Sequence, residues 1–125
     1  MATSQTVTLI SGLVGSAITV YRLVTLAADG SYDHTGADGA PDGVAAETVA
    51  TVGGAVPIAL PTGAVVKIEC GGTVTAGGVL ESMAGGKVQN YAGGLNSNRV
   101  GKALEAGVDG QIISVLFSVD LDQVA

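Results

Sequence analysis

The sequence predicts an all-β fold: a small barrel or sandwich made of two duplicated β-rich units, preceded by an extended N-terminal arm. Segments rich in β-branched residues alternate with Gly, Asp-Gly and Pro turn signals about every ten residues, which is typical of such folds. Most of the chain also repeats itself at a fixed spacing. We therefore expect an arm over residues 1–16 and one all-β domain over residues 17–125.

The repeat aligns residues 15–60 with residues 71–116 without a gap, at a shift of 56 residues (71 − 15). Turn glycines match turn glycines and apolar residues match apolar residues, as in a duplicated structural unit. No candidate catalytic group occurs in both copies, which indicates a scaffold and not an active site. The identical pairs are Gly15/Gly71, Thr19/Thr75, Ala28/Ala84, Gly30/Gly86, Val44/Val100, Ala50/Ala106, Val52/Val108, Gly54/Gly110 and Leu60/Leu116.

The first copy begins with a dense run of β-formers that contains no strand breaker. Asp29-Gly30 then marks a tight turn, because this dipeptide readily supplies the positive φ of hairpin turns. We expect a long aspartate-rich loop over residues 29–43. Pro57 cannot donate to a strand ladder, so its strand should lie at an edge or a bulge. The strands predicted here are residues 17–27, 44–52, 55–60 and 64–70.

The second copy repeats this scheme, with Gly85-Gly86 in the place of Asp29-Gly30. Residues 93–98 are expected to form a loop, and residues 100–108 match residues 44–52. The strand predicted over residues 111–119 has the strongest pattern in the chain, a run of β-branched and aromatic residues after an Asp-Gly turn.

Composition limits both the core and the possible partners. Four aromatic residues and 20 glycines leave a core of Ala, Val, Leu and Ile, which stabilises a lone monomer only modestly. Association with copies of itself or with a larger partner is therefore expected. The formal net charge is −6 and the five basic residues are scattered, so we expect neither nucleic-acid nor membrane-surface binding. Residues 7–28 are apolar, but Arg22 and many Ser, Thr and Gly residues disfavour a membrane span.

No motif in the sequence indicates catalysis or a cofactor. Gly86-Lys87 and Gly101-Lys102 lack the other residues of a phosphate-binding loop. The four aspartates of the 29–43 loop do not have the spacing of a calcium loop, and the single His34 has no second metal ligand of its kind nearby. Cys70 lies among apolar residues and is expected to be a buried, inert thiol. We predict that the protein is not an enzyme and holds no metal or cofactor.

Several short stretches, in order, resemble the small capsid decoration (cement) proteins of tailed phages that carry the domain of unknown function numbered 2190. The resemblance covers residues 17–119, and the long aspartate loop departs from the family pattern. The matching stretches are Ala27-Ala-Asp-Gly-Ser, Gly43-Val-Ala-Ala-Glu-Thr, Val74-Thr-Ala-Gly-Gly-Val-Leu, Ala84-Gly-Gly-Lys-Val and Val100-Gly-Lys-Ala-Leu-Glu-Ala-Gly-Val-Asp-Gly-Gln-Ile-Ile-Ser-Val-Leu-Phe.

This resemblance implies a virion protein on the outer capsid surface, made in the host cytoplasm. It would form a homotrimer and brace neighbouring subunits of the major capsid protein. The alternative is a small ligand- or sugar-binding β-module that acts as a virion accessory or receptor-binding protein. A polar concavity would favour this alternative.

The apolar, strand-prone arm is the candidate capsid contact. Such a segment can add a strand to a foreign sheet edge, with main-chain hydrogen bonds supplying affinity. Equally, the arm could form a strand of this protein's own barrel or of a neighbouring subunit. The candidate contact residues are Thr6, Val7, Thr8, Leu9 and Ile10.

Overall fold

A computed structural model describes residues 8–37, 39–91 and 99–120, with side chains described as far as residue 118. Within these ranges the chain forms ten β-strands and one short 3-10 turn, Ala84–Gly86, so the all-β prediction is confirmed. The strands are β1 Leu9–Val14, β2 Leu23–Leu26, β3 Ser31–His34, β4 Gly43–Ala45, β5 Ala55–Ala59, β6 Val65–Glu69, β7 Val79–Ser82, β8 Val88–Asn90, β9 Arg99–Ala103 and β10 Ile112–Asp120.

The first five strands close into a barrel in the order β1-β3-β2-β4-β5. β1 runs antiparallel to β5 over five residue pairs, from Leu9↔Ala59 to Leu13↔Ala55. On its other side β1 runs parallel to β3, but only at Leu13 and Val14. The remaining strand neighbours are antiparallel, with β2 between β3 and β4. The barrel therefore closes through β1, which has one fully paired side and one partly paired side.

The last five strands form a second sheet in the order β6-β10-β9-β7-β8. Each strand of this sheet takes the place of one strand of the barrel: β6 of β1, β7 of β2, β8 of β3, β9 of β4 and β10 of β5. A single parallel bridge, Cys70↔Val88, lies where Val14↔Tyr32 joins β1 to β3 in the barrel. The two copies thus share one pairing scheme, although only the first is a fully closed barrel.

The hydrogen bonds of the two copies show where the gap-free alignment is correct and where it slips. The parallel bridges keep the 56-residue shift. Leu23 pairs with Val44, whereas its counterpart Val79 pairs with Lys102. Equivalent residues of β4 and β9 are therefore 58 residues apart. In the turn before β5 and β10 the spacing between equivalent residues is 57. There the Gly53 amide donates to the Val14 carbonyl, and the Gly110 amide donates to the Cys70 carbonyl. The second copy therefore has two extra residues between β8 and β9, and the matched pairs from Val44/Val100 onward are not structurally equivalent.

The two copies share much of their apolar core. One buried cluster lies inside the barrel: Val14, Ile18, Val24, Tyr32, Ala45, Val56 and Ile58. The larger cluster combines the second sheet with three residues of the first copy, Leu23, Val44 and Ala59. These three side chains lie on the outer side of the barrel, where residues of the second copy cover them. The two copies are therefore joined by a shared apolar core.

Three expectations about local structure need correction. Residues 9–14, expected to form an extended arm, form β1 of the barrel and pair with β5, which is the arrangement given above as the alternative. The expected 29–43 loop contains β3, whose Tyr32 is buried although its neighbours are polar. The long strands expected at residues 17–27 and 44–52 are shortened to β2 and β4, with one bridge, Ile18↔Val49, joining the segments beside them.

Tyr21 has a backbone conformation that side chains rarely adopt. Its φ is 66°, and it is the one residue other than glycine with a positive φ in the described part of the chain. The equivalent residue of the second copy is Gly77, with φ 81°. The Tyr21 amide bonds to the Ala45 carbonyl just as the Gly77 amide bonds to the Ala103 carbonyl. The duplicated turn therefore requires a left-handed residue, and the first copy places an aromatic side chain there at a cost of about 1–2 kcal/mol.

Candidate interaction surface

The outer face of β1 is an exposed surface without charge. Leu9, Ser11 and Leu13 point away from the barrel interior, because side chains alternate along a strand. Leu9 and Leu13 are each 54% exposed. Their partners across β5 are also uncharged: Ala59, Pro57 and Ala55. We call the residues Leu9, Ser11, Leu13, Ala55 and Pro57 the β1 face.

The second copy carries charges at the matching positions. In β6, Lys67 stands at the position of Ser11 and Glu69 at the position of Leu13. Glu69 forms ion pairs with Arg22 at 3.2 Å and with Lys87 at 3.3 Å, joining the two copies. Burial raises the pKa of Glu69, but hydrogen bonds from Arg22 and Lys87 outweigh it and hold the pKa below its ordinary value. The exposed Leu13 thus occupies the position at which the second copy has Glu69, whose ion pairs join the two copies.

The N-terminal half of β1 also presents an open sheet edge. Its pairing with β3 is confined to Leu13 and Val14, so Leu9 and Ser11 have no strand neighbour on that side among the described residues. A Cβ built on Gly12 would meet the Tyr32 ring at 2.6 Å, so glycine is needed for this close approach. Unpaired edges of this kind can accept a strand from another chain.

The predicted contact residues fall partly on this surface. Thr6 and Val7 lie outside the described residues. The Thr8 carbonyl accepts a hydrogen bond from the Leu60 amide, while Leu9 and Ile10 pair with β5. Leu13 belongs to the same face but lies outside the predicted contact residues, which end at Ile10. Its strand-prone alternation with Leu9 and Ser11 was the available signal.

An apolar groove lies between the two copies. Leu9 of β1 and Val65 of β6, which occupy equivalent positions, are both at this groove, and Lys67 contributes the charged group. Its volume is about 180 Å³. The groove is lined by Leu9, Tyr21, Val44, Ala45, Ala46, Ala59, Val65, Val66 and Lys67.

The acidic residues of the first copy serve separate local contacts. Asp29 accepts hydrogen bonds from the amide and hydroxyl of Ser31, which lower its pKa. Asp33 accepts from the Ser16 hydroxyl, and Asp42 accepts from the Leu26 amide. Asp38 lies outside the described residues. Among the residues that the structure describes, no three His, Cys, Asp or Glu side chains are arranged to hold a metal ion.

The single histidine has a structural contact. Nε2 of His34 accepts a hydrogen bond from the Thr19 amide at 3.0 Å, which requires that nitrogen to be unprotonated. Burial and the nearby Arg22 charge lower the pKa of His34, and Asp33 opposes them. In the second copy the side-chain oxygen of Asn90 accepts from the Thr75 amide at 3.1 Å in the same way. The histidine therefore holds a turn.

The single cysteine lies in the core of the second sheet. Cys70 is fully buried, as predicted, and burial raises the pKa of its thiol, with further contributions from Glu105, Glu69 and Asp109. In the described ranges no helix has the length and apolar character needed to cross a bilayer.

Comparison with known proteins finds likeness in the fold but not in the sequence. No protein-family model matches the chain, and no curated protein sequence matches it. The two-copy all-β fold does match solved structures. One of them is the crystal structure of the head fiber gp8.5 N base in bacteriophage phi29, with a TM-score of 0.74 and 20% sequence identity. The match covers 94% of this chain and 100% of that chain, so the two chains share a fold over nearly all of this one.

Proposed function

We propose that this chain is a structural protein of a tailed-phage head that decorates the outer capsid surface and braces neighbouring major capsid subunits. The observation that carries the proposal is the fold likeness, which spans all of the phi29 head fiber base. That chain is the base of a head fiber, and a decoration protein would also be a component of a phage head. The sequence resemblance to cement proteins led to the same expectation, but no family model matches the chain, so the fold likeness alone carries the proposal.

The β1 face and its open edge are the proposed contact with the capsid. An interface core is depleted in charge, and this face is the uncharged counterpart of a charged face in the second copy. The edge at Leu9 and Ser11 can add main-chain hydrogen bonds to a strand of the capsid protein. The proposal adds Leu13 to the candidate contact residues, which are Thr6, Val7, Thr8, Leu9 and Ile10.

The ligand-binding alternative has no supporting observation among the described residues. It calls for a polar concavity, whereas the groove between the copies is lined mainly by apolar side chains. Its volume of about 180 Å³ is also below the roughly 300 Å³ at which small-molecule sites begin. We therefore do not propose a sugar or ligand substrate.

The test uses undecorated heads of the phage that encodes this chain. Leu13→Lys should weaken binding at least tenfold, because an ammonium group would be buried in an apolar interface. Val108→Lys is the matched control, since Val108 is 53% exposed and lies in the second copy. Equal binding of the two variants would refute the assignment of the β1 face, and failure of the unaltered protein to bind heads would refute the proposed function.

A further inference from the structure

The strand pairing makes one row of four side chains equivalent in the two copies. The row crosses β1, β5, β4 and β2 in the first copy and β6, β10, β9 and β7 in the second. Its members lie directly opposite one another on neighbouring strands, so the match does not depend on the sequence alignment. The first row is Leu9, Ala59, Val44 and Leu23, and the second row is Val65, Leu116, Lys102 and Val79.

The first row is largely covered and the second row is open. Leu23, Val44 and Ala59 are 0%, 2% and 5% exposed, because the second copy packs on them. In the second row Val79 is 42% exposed, and Lys102 is exposed as well. The second copy therefore presents to solvent the surface with which the first copy contacts the second.

The second copy covers the first row with the turn that precedes β8. A Cβ built on Gly86 would overlap the carbonyl oxygen of Leu23, so this turn packs directly on the row. The Ser82 hydroxyl, at the end of β7, donates a hydrogen bond to the Gly36 carbonyl at 2.9 Å. The turn and the end of β7 are thus the covering side of the contact between the copies.

The first copy has the same turn before β3, and there it is exposed. Gly30 occupies the place of Gly86, because each donates its amide to the carbonyl three residues earlier. A Cβ at Gly30 would meet nothing within 4 Å, and Leu26, at the place of Ser82, is 48% exposed. The chain therefore holds both sides of a second contact of the same kind, and both are open to solvent.

We propose that residues 26–30 of one chain pack on the second row of another copy of the chain. The contact repeats between chains the one that joins the two copies within a chain. The partner is a second copy of this chain because the two matching surfaces both belong to it. The contact is head-to-tail, so its repetition generates a ring where the rotation closes. It concerns self-assembly and does not depend on binding to the capsid.

Charge complementarity supports this partner. The second row has Lys102 where the first row has Val44. The exposed turn has Asp29 where the covering turn has Gly85. Hydrogen bonds from Ser31 lower the pKa of Asp29, so its carboxylate is ionised at neutral pH. The two open surfaces therefore carry opposite charges, at positions that are uncharged in the contact within the chain.

The ion pair of the contact within the chain is not repeated. That contact contains the Arg22–Glu69 pair at 3.2 Å. In the second copy Gly78 occupies the place of Arg22. In the first copy Leu13 occupies the place of Glu69. The two contacts therefore use different charge pairs. Because Leu13 also belongs to the β1 face, the variants that test the contact between chains leave it unchanged.

A charge exchange tests this contact by sedimentation equilibrium at micromolar concentrations. The unaltered chain should associate. Lys102→Glu should weaken association about tenfold, and so should Asp29→Lys, because each places like charges together. The double variant should recover most of the loss, since opposite charges again face each other. Glu47→Lys is the matched control, because it changes the net charge as Asp29→Lys does, at an exposed carboxylate outside both surfaces.

A further variant tests the contact without a change of charge. Leu26→Ser places in the first copy the residue of the second, and it should weaken association about tenfold with an unchanged circular dichroism spectrum. Val108→Ser is its control, because Val108 is 53% exposed and lies outside both surfaces. A monomeric unaltered chain would overturn the inference, and so would an oligomer in which Lys102→Glu, Asp29→Lys and Leu26→Ser associate as tightly as the controls. The measurement contains no phage heads, so its outcome is independent of the proposed function.

Discussion

The Thr19 amide donates a hydrogen bond to Nε2 of His34 at 3.0 Å, across the same turn that the second copy closes with Asn90. A neutral imidazole and an amide oxygen thus serve as equivalent acceptors in the two halves of one chain. The difference between them is that only the imidazole can lose its acceptor by gaining a proton. The duplication therefore contains a pH-sensitive turn and a pH-insensitive reference for it.

We expect the free energy of unfolding to fall between pH 7.5 and 5.5, and His34→Asn to abolish most of this fall. The pKa of His34 is lowered in the folded state, mainly by burial. The unfolded chain therefore binds the proton first, and the contribution to stability is present above the ordinary pKa of about 6.5 and is lost as pH falls through the folded pKa. Urea unfolding at several pH values measures it. Parallel pH profiles for both proteins would contradict the assignment.

The equivalent glycines Gly30 and Gly86 should respond very differently to alanine. Both have positive φ, 87° and 77°. A Cβ at Gly30 meets nothing within 4 Å, so Gly30→Ala should cost only the backbone term, about 1 kcal/mol. A Cβ at Gly86 would overlap the Leu23 carbonyl oxygen, where the copies touch, so Gly86→Ala should cost more than about 3 kcal/mol. Denaturant midpoints compare the two, and similar losses would contradict the close approach.

Glu69→Gln should destabilise the protein by about 1–2 kcal/mol at pH 7, because the side chain is partly buried between two cations. The pKa of Glu69 is lowered, so its contribution is present above the ordinary carboxyl pKa and disappears as pH falls through the folded pKa. The variant and the unaltered protein should therefore converge in acid. Glu47→Gln, at an exposed carboxylate, is the control and should change stability little.

Cys70 should be unreactive toward a thiol reagent such as 5,5′-dithiobis(2-nitrobenzoate) until the protein unfolds. Its side chain is fully buried, and burial raises the pKa of the thiol, which leaves little thiolate. One equivalent should react at once in concentrated urea. The slow reaction of the native protein reports opening of the second sheet, and rapid native labelling would show that the shared core is open to solvent.

The sequence was sufficient to predict the all-β class, because turn glycines and β-branched runs are local signals. The β10 strand and the burial of Cys70 followed from the same patterns. The assignment of β3 failed because only Tyr32 in Ser31–His34 is buried, and a four-residue strand with one apolar side chain has no readable period. β4 and β9 were misaligned for a different reason: two extra residues before β9 shift its register without changing the composition around it.

Only part of the candidate surface could be predicted from the sequence. Leu9 and Ile10 attract notice as apolar residues near a terminus, but the exposure of Leu13 depends on which side of β1 faces the barrel interior. The groove depends on contacts between residues far apart in the chain, such as Leu9, Tyr21 and Val65. The position of Tyr21 opposite Gly77 in the repeat was the one available clue, since a turn glycine aligned with a bulky residue marks a site of strain.

The shared core has a consequence for synthesis on the ribosome. Leu23, Val44 and Ala59 emerge with the barrel, but the residues that cover them belong to the second copy. At translation rates of about 5–20 residues per second, residues 65–117 follow over roughly 3–10 s. During that interval the nascent barrel presents an apolar side that the second copy of a neighbouring nascent chain fits equally well. Crowded polysomes are thus the setting in which exchanged, domain-swapped dimers of this protein would arise.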